Sequence, residues 1–189
     1  MIRPADRARL LHGEHSNPHA ILGLHPTTVD GTRGSILRAY HPDAAACDCL
    51  FPDDRWRSLE PQGGGLFSVF LPSISPPRDY RLRFRFPDGN SWERRDPYRF
   101  LPTVGEVDLY LFGEGNHRDL WKIFGAHLRR VDGVDGVSFA VWAPNARRVS
   151  IVGDFCRWDG RLFPMRQLGA SGVFELFVPD LQHGALYKY

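Results

Sequence analysis

The sequence predicts an all-β protein of two tandem β modules, with short helices at the amino terminus and in the linker. Three observations predict it. Glycine (19) and proline (15) are plentiful and 13% of residues are aromatic, the composition of short strands punctuated by turns rather than of long helices. Period-two alternation is plain in YRLRFRF (80–86), where Arg81, Arg83 and Arg85 face one way and Tyr80, Leu82, Phe84 and Phe86 the other. The chain also repeats itself. GSILRAYHPDA (34–44) and GVSFAVWAPNA (136–146) place an aromatic, a proline and an alanine in the same order, and GLFSVFLP (65–72) returns as GVFELFVP (172–179), with Tyr80 and Tyr187 following at equal distance. Two matches at nearly constant spacing argue for duplicated modules over chance likeness between strands.

In chain order, Ala5 to His12 reads as a short helix, with Pro4 in its first turn and Gly13 as its stop. The first module, 1–102, runs strand, loop, strand, proline corner and returning strand. Its tyrosine opens YRLRFRF, PDGNSW (87–92) makes a hairpin turn around Asp-Gly, and RRDPYRF (94–100) closes it. The linker, 103–132, is expected to be helical: Val104, Val107, Leu111 and Phe112 stand at helical spacing, and Gly113 with Gly115 ends the helix. The second module, 133–189, reaches LYKY (186–189) and stops inside the matching strand, so it reads as truncated at its carboxy-terminal end.

Several function classes are disfavoured. With a net charge of +2 over 189 residues, no field points to nucleic acid or an anionic membrane as partner. The amino terminus lacks an apolar run long enough for a signal peptide or membrane span, so a cytoplasmic protein is the default. Cys47, Cys49 and Cys156 lack the spacing of a zinc site and read as reduced thiols. His12, His15 and His19 would share a face of a continuous helix, but Gly13 and Asn17-Pro18 break it, so solvated loop histidines are the expectation and no metal is implied. Gly63-Gly64-Gly65 precedes a strand and lacks the lysine of a phosphate loop. The arginine row of YRLRFRF reads as a solvated face protecting a strand edge. No G-x-S-x-G elbow occurs, and neither a catalytic centre nor a cofactor is implied.

One residue stands out. Val149, Ile151, Gly153 and Phe155 alternate into VGDFCRWDG (152–160), where Asp159-Gly160 marks a turn and Trp158 sits in that turn. An exposed indole there is a platform on which the apolar face of a sugar ring packs, at roughly 0.5–1.5 kcal/mol beyond area burial. The alternative is an indole folded back over the open end of the module; position and residue type leave the two readings even.

NPHAILGLHP (17–26), DPYRF (96–100), FGAHLRRVDGVDGVSFAVWAPNARRVSIVGDF (124–155), WDGR (158–161) and GVFELFVP closely resemble the amino-terminal region of bacterial 1,4-α-glucan (glycogen) branching enzymes of glycoside hydrolase family 13. The resemblance covers nearly the whole chain. It implies two immunoglobulin-like β-sandwich modules, the second (133–189) a family-48 carbohydrate-binding module. In the family a (β/α) barrel follows, whose aspartate nucleophile and glutamate acid-base cleave an α-1,4 bond with retention and transfer the chain to a glucan 6-hydroxyl. The resemblance implies no catalytic residue here, α-1,4-glucan and the missing barrel as partners, and carbohydrate contacts at Trp158 and Lys188. Cys156 stands where the family often has asparagine, and a thiol cannot replace an amide that grips a hydroxyl. A stand-alone glycogen-binding or regulatory protein, or the module of a debranching enzyme, is the alternative.

Overall fold

The computed structural model describes residues 2–52, 55–76 and 79–189. Among them all strand pairing is antiparallel, and the α-helices are α1 (Pro4–Leu11) and α2 (Glu106–Gly113). Helix α1 starts with Pro4 at its first position, where a missing N–H costs nothing. It ends as the His12 N–H reaches Ala8 O (3.0 Å) and Gly13 turns left-handed at φ 69°. By backbone contacts the chain forms two compact units, His19–Arg99 and Phe100–Tyr189 with the segment up to Pro18.

The unit His19–Arg99 contains β1 (Gly23–Val29), β2 (Thr32–Tyr40), β3 (Ala46–Leu50), β4 (Trp56–Gly63), β5 (Leu66–Pro72), β6 (Arg81–Arg85) and β7 (Ser91–Arg95). They form one seven-stranded sheet in the order β1-β2-β5-β4-β3-β6-β7. The sheet folds over on itself. Leu37 and Ala39 of β2, Leu59 of β4, Phe67 of β5 and Leu82 and Phe84 of β6 share one core, and His41, just past β2, packs edge-on against Phe86 (4.8 Å) and Trp92 (5.8 Å). Alternation puts Cys47 and Cys49 of β3 into that core as free thiols, and burial pushes the Cys47 thiol far up.

The outward arginines of β6 are held by carboxylates: Arg83 Nε donates to Glu93 Oε1 (2.6 Å) and Arg85 lies 3.1 Å from Asp48 Oδ2. The motif DPYRF closes the unit from inside. Buried Tyr80 donates its hydroxyl to Asp96 Oδ2 (2.7 Å), while Asp96 Oδ1 accepts the Tyr98 N–H (3.0 Å). Burial raises the Asp96 carboxyl above its usual range, and the Tyr80 hydroxyl offsets part of this.

The second unit contains α2, β8 (Gly125–Val131), β9 (Val134–Trp142), β10 (Val152–Gly153), β11 (Arg166–Gln167), β12 (Val173–Pro179) and β13 (Tyr187–Lys188). A four-stranded sheet runs β11-β12-β9-β8, and β10 pairs with β13. Strand β8 lies inside the stretch 103–132 expected as a helical linker. Only one of its edges is paired in the sheet and its residues are half-buried or exposed, so it lacks the clean alternation that announces a strand.

Strand β12 is buried from Val173 to Val178, as a central strand covered on both faces must be. That run includes a carboxylate. Glu175 accepts a hydrogen bond from Arg166 Nε, and its Oε2 accepts the Thr103 hydroxyl (2.8 Å) and N–H (3.2 Å). Arg166 Nη1 donates to Phe100 O (3.0 Å). The ion pair thus anchors residues 100–103 to the sheet, where the Phe100 ring meets Phe177 edge-on at 4.7 Å.

The repeat extends to individual backbone devices. Asp30-Gly31 turns β1 into β2 at φ 48° and 77°, and Asp132-Gly133 turns β8 into β9 at φ 49° and 77°, the left-handed pair of a tight hairpin. His25 Nε2 lies 2.9 Å from Leu22 O, and His127 Nε2 lies 2.9 Å from Phe124 O. Gly34 faces the Leu71 carbonyl and Gly136 the Val178 carbonyl so closely that a β-carbon would stand 2.4 Å from either oxygen. Ser73 and Asp180, one residue past each proline corner, are left-handed at φ 59° and 63°. The two units thus share a series of backbone devices at matching positions.

Candidate functional site

The alternation running into VGDFCRWDG ends earlier than expected. Strand β10 holds only Val152 and Gly153, after which Asp154–Cys156 wind into a 3-10 turn. Gly153 is needed for space: a β-carbon there would lie 2.3 Å from Leu186 O and 2.5 Å from the Phe155 ring. Past the turn Arg157 (φ 53°) and Trp158 (φ 61°) are both left-handed, a conformation costing a non-glycine residue roughly 1–2 kcal/mol. Backbone bonds hold it, from Arg157 N–H to Asp154 O (3.2 Å), Trp158 N–H to Gly153 O (3.0 Å) and Asp159 N–H to Cys156 O (3.1 Å).

Cys156 is buried beneath the turn. Its Sγ lies 3.3 Å from both Gly153 N and Gly153 O, and burial raises the thiol's pKa. The side chain expected to weaken the polar half of a sugar site faces inward and staples the loop.

Trp158 stays at the surface, 44% exposed. Its indole N–H donates to Asp154 Oδ1 (2.8 Å), which fixes the ring plane. Lys188 comes from β13, opposite Val152 in the pairing, and its ammonium lies 5.9 Å from the ring centroid. The structure therefore brings together the two residues singled out in the sequence and adds Asp154. An aromatic face bordered by an acceptor and a cation suits a neutral polyol: the ring takes C–H groups while the polar atoms take hydroxyls. An open pocket of about 350 Å³ in the same unit is lined by Arg148, Ser150, Val152, Gly160 and Tyr189, and by none of Trp158, Asp154 and Lys188. The buried Ser150 Oγ at this pocket has no hydrogen-bond partner among the described residues.

Residues 3–98 match the family described as "alpha-1,4-glucan branching enzyme GlgB, N-terminal domain". The chain belongs to the GlgB N-terminal domain family. Residues 123–189 match "Carbohydrate-binding module 48 (Isoamylase N-terminal domain)", and this segment holds Trp158, Asp154 and Lys188. Among curated relatives, the 1,4-alpha-glucan branching enzyme GlgB of Frankia casuarinae is 49% identical over 97% of this chain and 23% of its own length. That of Rhodococcus jostii is 51% identical over 98% of this chain and 25% of its own length. This chain thus spans about a quarter of the length of the curated relatives it matches.

Elsewhere in the chain the other sequence candidates have ordinary surroundings. His12 ends α1, His15 lies 3.8 Å from Asp6, and the His19 ring packs edge-on to Tyr98 at 5.0 Å. Among the described residues no group of His, Cys, Asp or Glu is placed to hold a metal. Gly63, Gly64 and Gly65 are all left-handed and turn β4 into β5. Helix α2 is unusual in another way: it carries Val107, Leu109, Tyr110, Leu111 and Phe112, yet none of its residues is buried.

Proposed function

We propose that this chain is the glucan-contacting and architectural amino-terminal region of a cytoplasmic 1,4-α-glucan branching enzyme. The observation that carries the reading is the Trp158 indole, held by Asp154 and flanked by Lys188, at the surface of the segment matching carbohydrate-binding module 48. The whole enzyme breaks an α-1,4 bond and re-forms the chain as an α-1,6 branch, with a carboxylate nucleophile and a carboxylic acid in its barrel. This chain contributes no catalytic group. Its residues hold a neighbouring segment of glucan, and a weak tethered contact raises the local concentration of chain ends to roughly millimolar. Among the described residues no helix is long and apolar enough to cross a membrane.

The test is affinity electrophoresis in glycogen-containing gels. Wild-type chain is retarded and Trp158→Ala is not. Absence of retardation in the wild type, or equal retardation of the variant, sinks the platform reading. Purified chain ending at Tyr189 is expected to form no α-1,6 branches on amylose.

A second role has its own observation. Large apolar side chains are normally covered, yet Val107 and Tyr110 of α2 are exposed, as are Trp121 and Leu128 beyond it. This face supports a buttressing contact with the barrel of the whole enzyme. Val107→Asp with Tyr110→Asp in the full-length enzyme is expected to lower thermal stability, while leaving retardation of the 189-residue chain unchanged.

A further inference from the structure

The duplication of backbone devices reaches the candidate site itself. Each module carries a tryptophan after an arginine, Arg55-Trp56 and Arg157-Trp158, and the two stand equally far along the chain from the matched glycines Gly34 and Gly136. The basic partner is matched as well. Arg81 follows Tyr80 as Lys188 follows Tyr187, and Arg81 pairs with Leu50 across β3 and β6 as Lys188 pairs with Val152 across β10 and β13. Leu50 also pairs with Trp56 on its other side. Trp56 and Arg81 therefore flank one residue on the outward face of the first unit's sheet.

Trp56 is 37% exposed and its ring is held in place. The Arg83 guanidinium lies 3.8 Å from the ring centroid, a stacked cation–π contact, and Glu93 fixes Arg83 in turn. The guanidinium covers one indole face, so the exposed part of the ring is what remains for a ligand. A side chain already locked gives up little rotamer freedom on binding. Alternation puts further donors and acceptors on the same outward face: Ser58 Oγ donates to Asp48 Oδ1 (2.8 Å), which also receives Arg85 Nη2 (3.2 Å). Since Arg83 and Arg85 are already matched by Glu93 and Asp48, the face suits a neutral polyol rather than a polyanion.

We infer that Trp56, with Arg81 and Arg83 beside it, is a second platform for α-1,4-glucan, in the amino-terminal unit. The inference rests on the reading of Trp158 as a sugar platform, which it extends to the duplicated module.

The experiment follows the indole N–H signals of the chain's five tryptophans in ¹H–¹⁵N spectra during titration with maltoheptaose, assigned through Trp56→Phe and Trp158→Phe. Both the Trp56 and Trp158 signals are expected to move. In glycogen gels Trp56→Ala is expected to weaken binding about two- to tenfold, the range of an aromatic stacking contact, and Trp56→Tyr to restore most of it. A stationary Trp56 signal beside a moving Trp158 signal, with Trp56→Ala retarded like wild type, overturns the second platform and leaves the first. A moving Trp56 beside a stationary Trp158 supports the site in the first unit and removes the Trp158 reading. If neither moves, both fall. The spectra of wild-type chain decide this even where a variant fails to fold.

Discussion

Removing the Glu175 carboxylate is the most informative perturbation of the second unit. In Glu175→Ala the buried Arg166 guanidinium keeps the Phe100 carbonyl as its partner (3.0 Å) and loses its counter-charge. Burial already lowers the Arg166 pKa, against the opposing effect of Glu175, so the cation without Glu175 is strongly disfavoured. Thr103 loses the acceptor of both its hydroxyl and its N–H. Breaking one side of a buried ion pair costs about 3–5 kcal/mol. For a unit near 100 residues each kcal/mol moves Tm by about 4–8 °C, so the variant melts at least about 12 °C lower. Urea unfolding followed by tryptophan fluorescence gives the free energy, and far-UV circular dichroism gives Tm. Replacing both partners, as Glu175→Leu with Arg166→Met, is expected to recover most of the loss, because the uncompensated charge is then gone. A loss under about 1 kcal/mol for Glu175→Ala, or a double variant as unstable as the single one, refutes the assignment of residues 100–103 to an ion-pair anchor.

Asp96 is expected to give an inverted pH dependence. Its folded-state pKa is raised by burial, so the folded chain binds the extra proton between the ordinary carboxylate pKa and the raised value, and stability rises as pH falls through that window. Wild type should gain on Asp96→Asn in urea unfolding between pH 7 and pH 4; the opposite trend shows Asp96 is charged in the fold. All three thiols are buried, and burial raises Cys47 and Cys156, so an aromatic disulfide reagent should label them only when the chain unfolds; fast labelling of native chain contradicts this. Gly136→Ala puts a β-carbon 2.4 Å from the Val178 carbonyl, and Gly34→Ala should match its cost of about 1–3 kcal/mol, measured by urea midpoint. Unequal effects, one near zero, would show that the two corners are not equivalent.

The β modules were legible because duplicated segments and alternating strands leave marks in one dimension. YRLRFRF shows its two faces directly, and the Asp-Gly of PDGNSW signals its turn. The glycines shared by the modules, Gly34 and Gly136, mark where backbone meets backbone. Strand β8 was not legible, since an edge strand with half-buried residues has no clean period. At the site Trp158 and Lys188 could be named from resemblance, yet the roles of Asp154 and Cys156 could not. Both depend on the left-handed Arg157 and Trp158, ordinary residue types that give no warning of that conformation. The Arg83 stack on Trp56 joins residues from separate strands, and only the pairing register brings them together.

The Trp158–Lys188 contact sits on a ladder of only two residue pairs, Val152 with Lys188 and Gly153 with Tyr187. So short a ladder opens readily, and a glucan touching both side chains would act as a clip across it. Ligand would then slow hydrogen exchange at Val152 and Lys188, because whatever binds only the closed form adds its free energy to closure. A sugar bound there would serve as a removable cross-link in the fold.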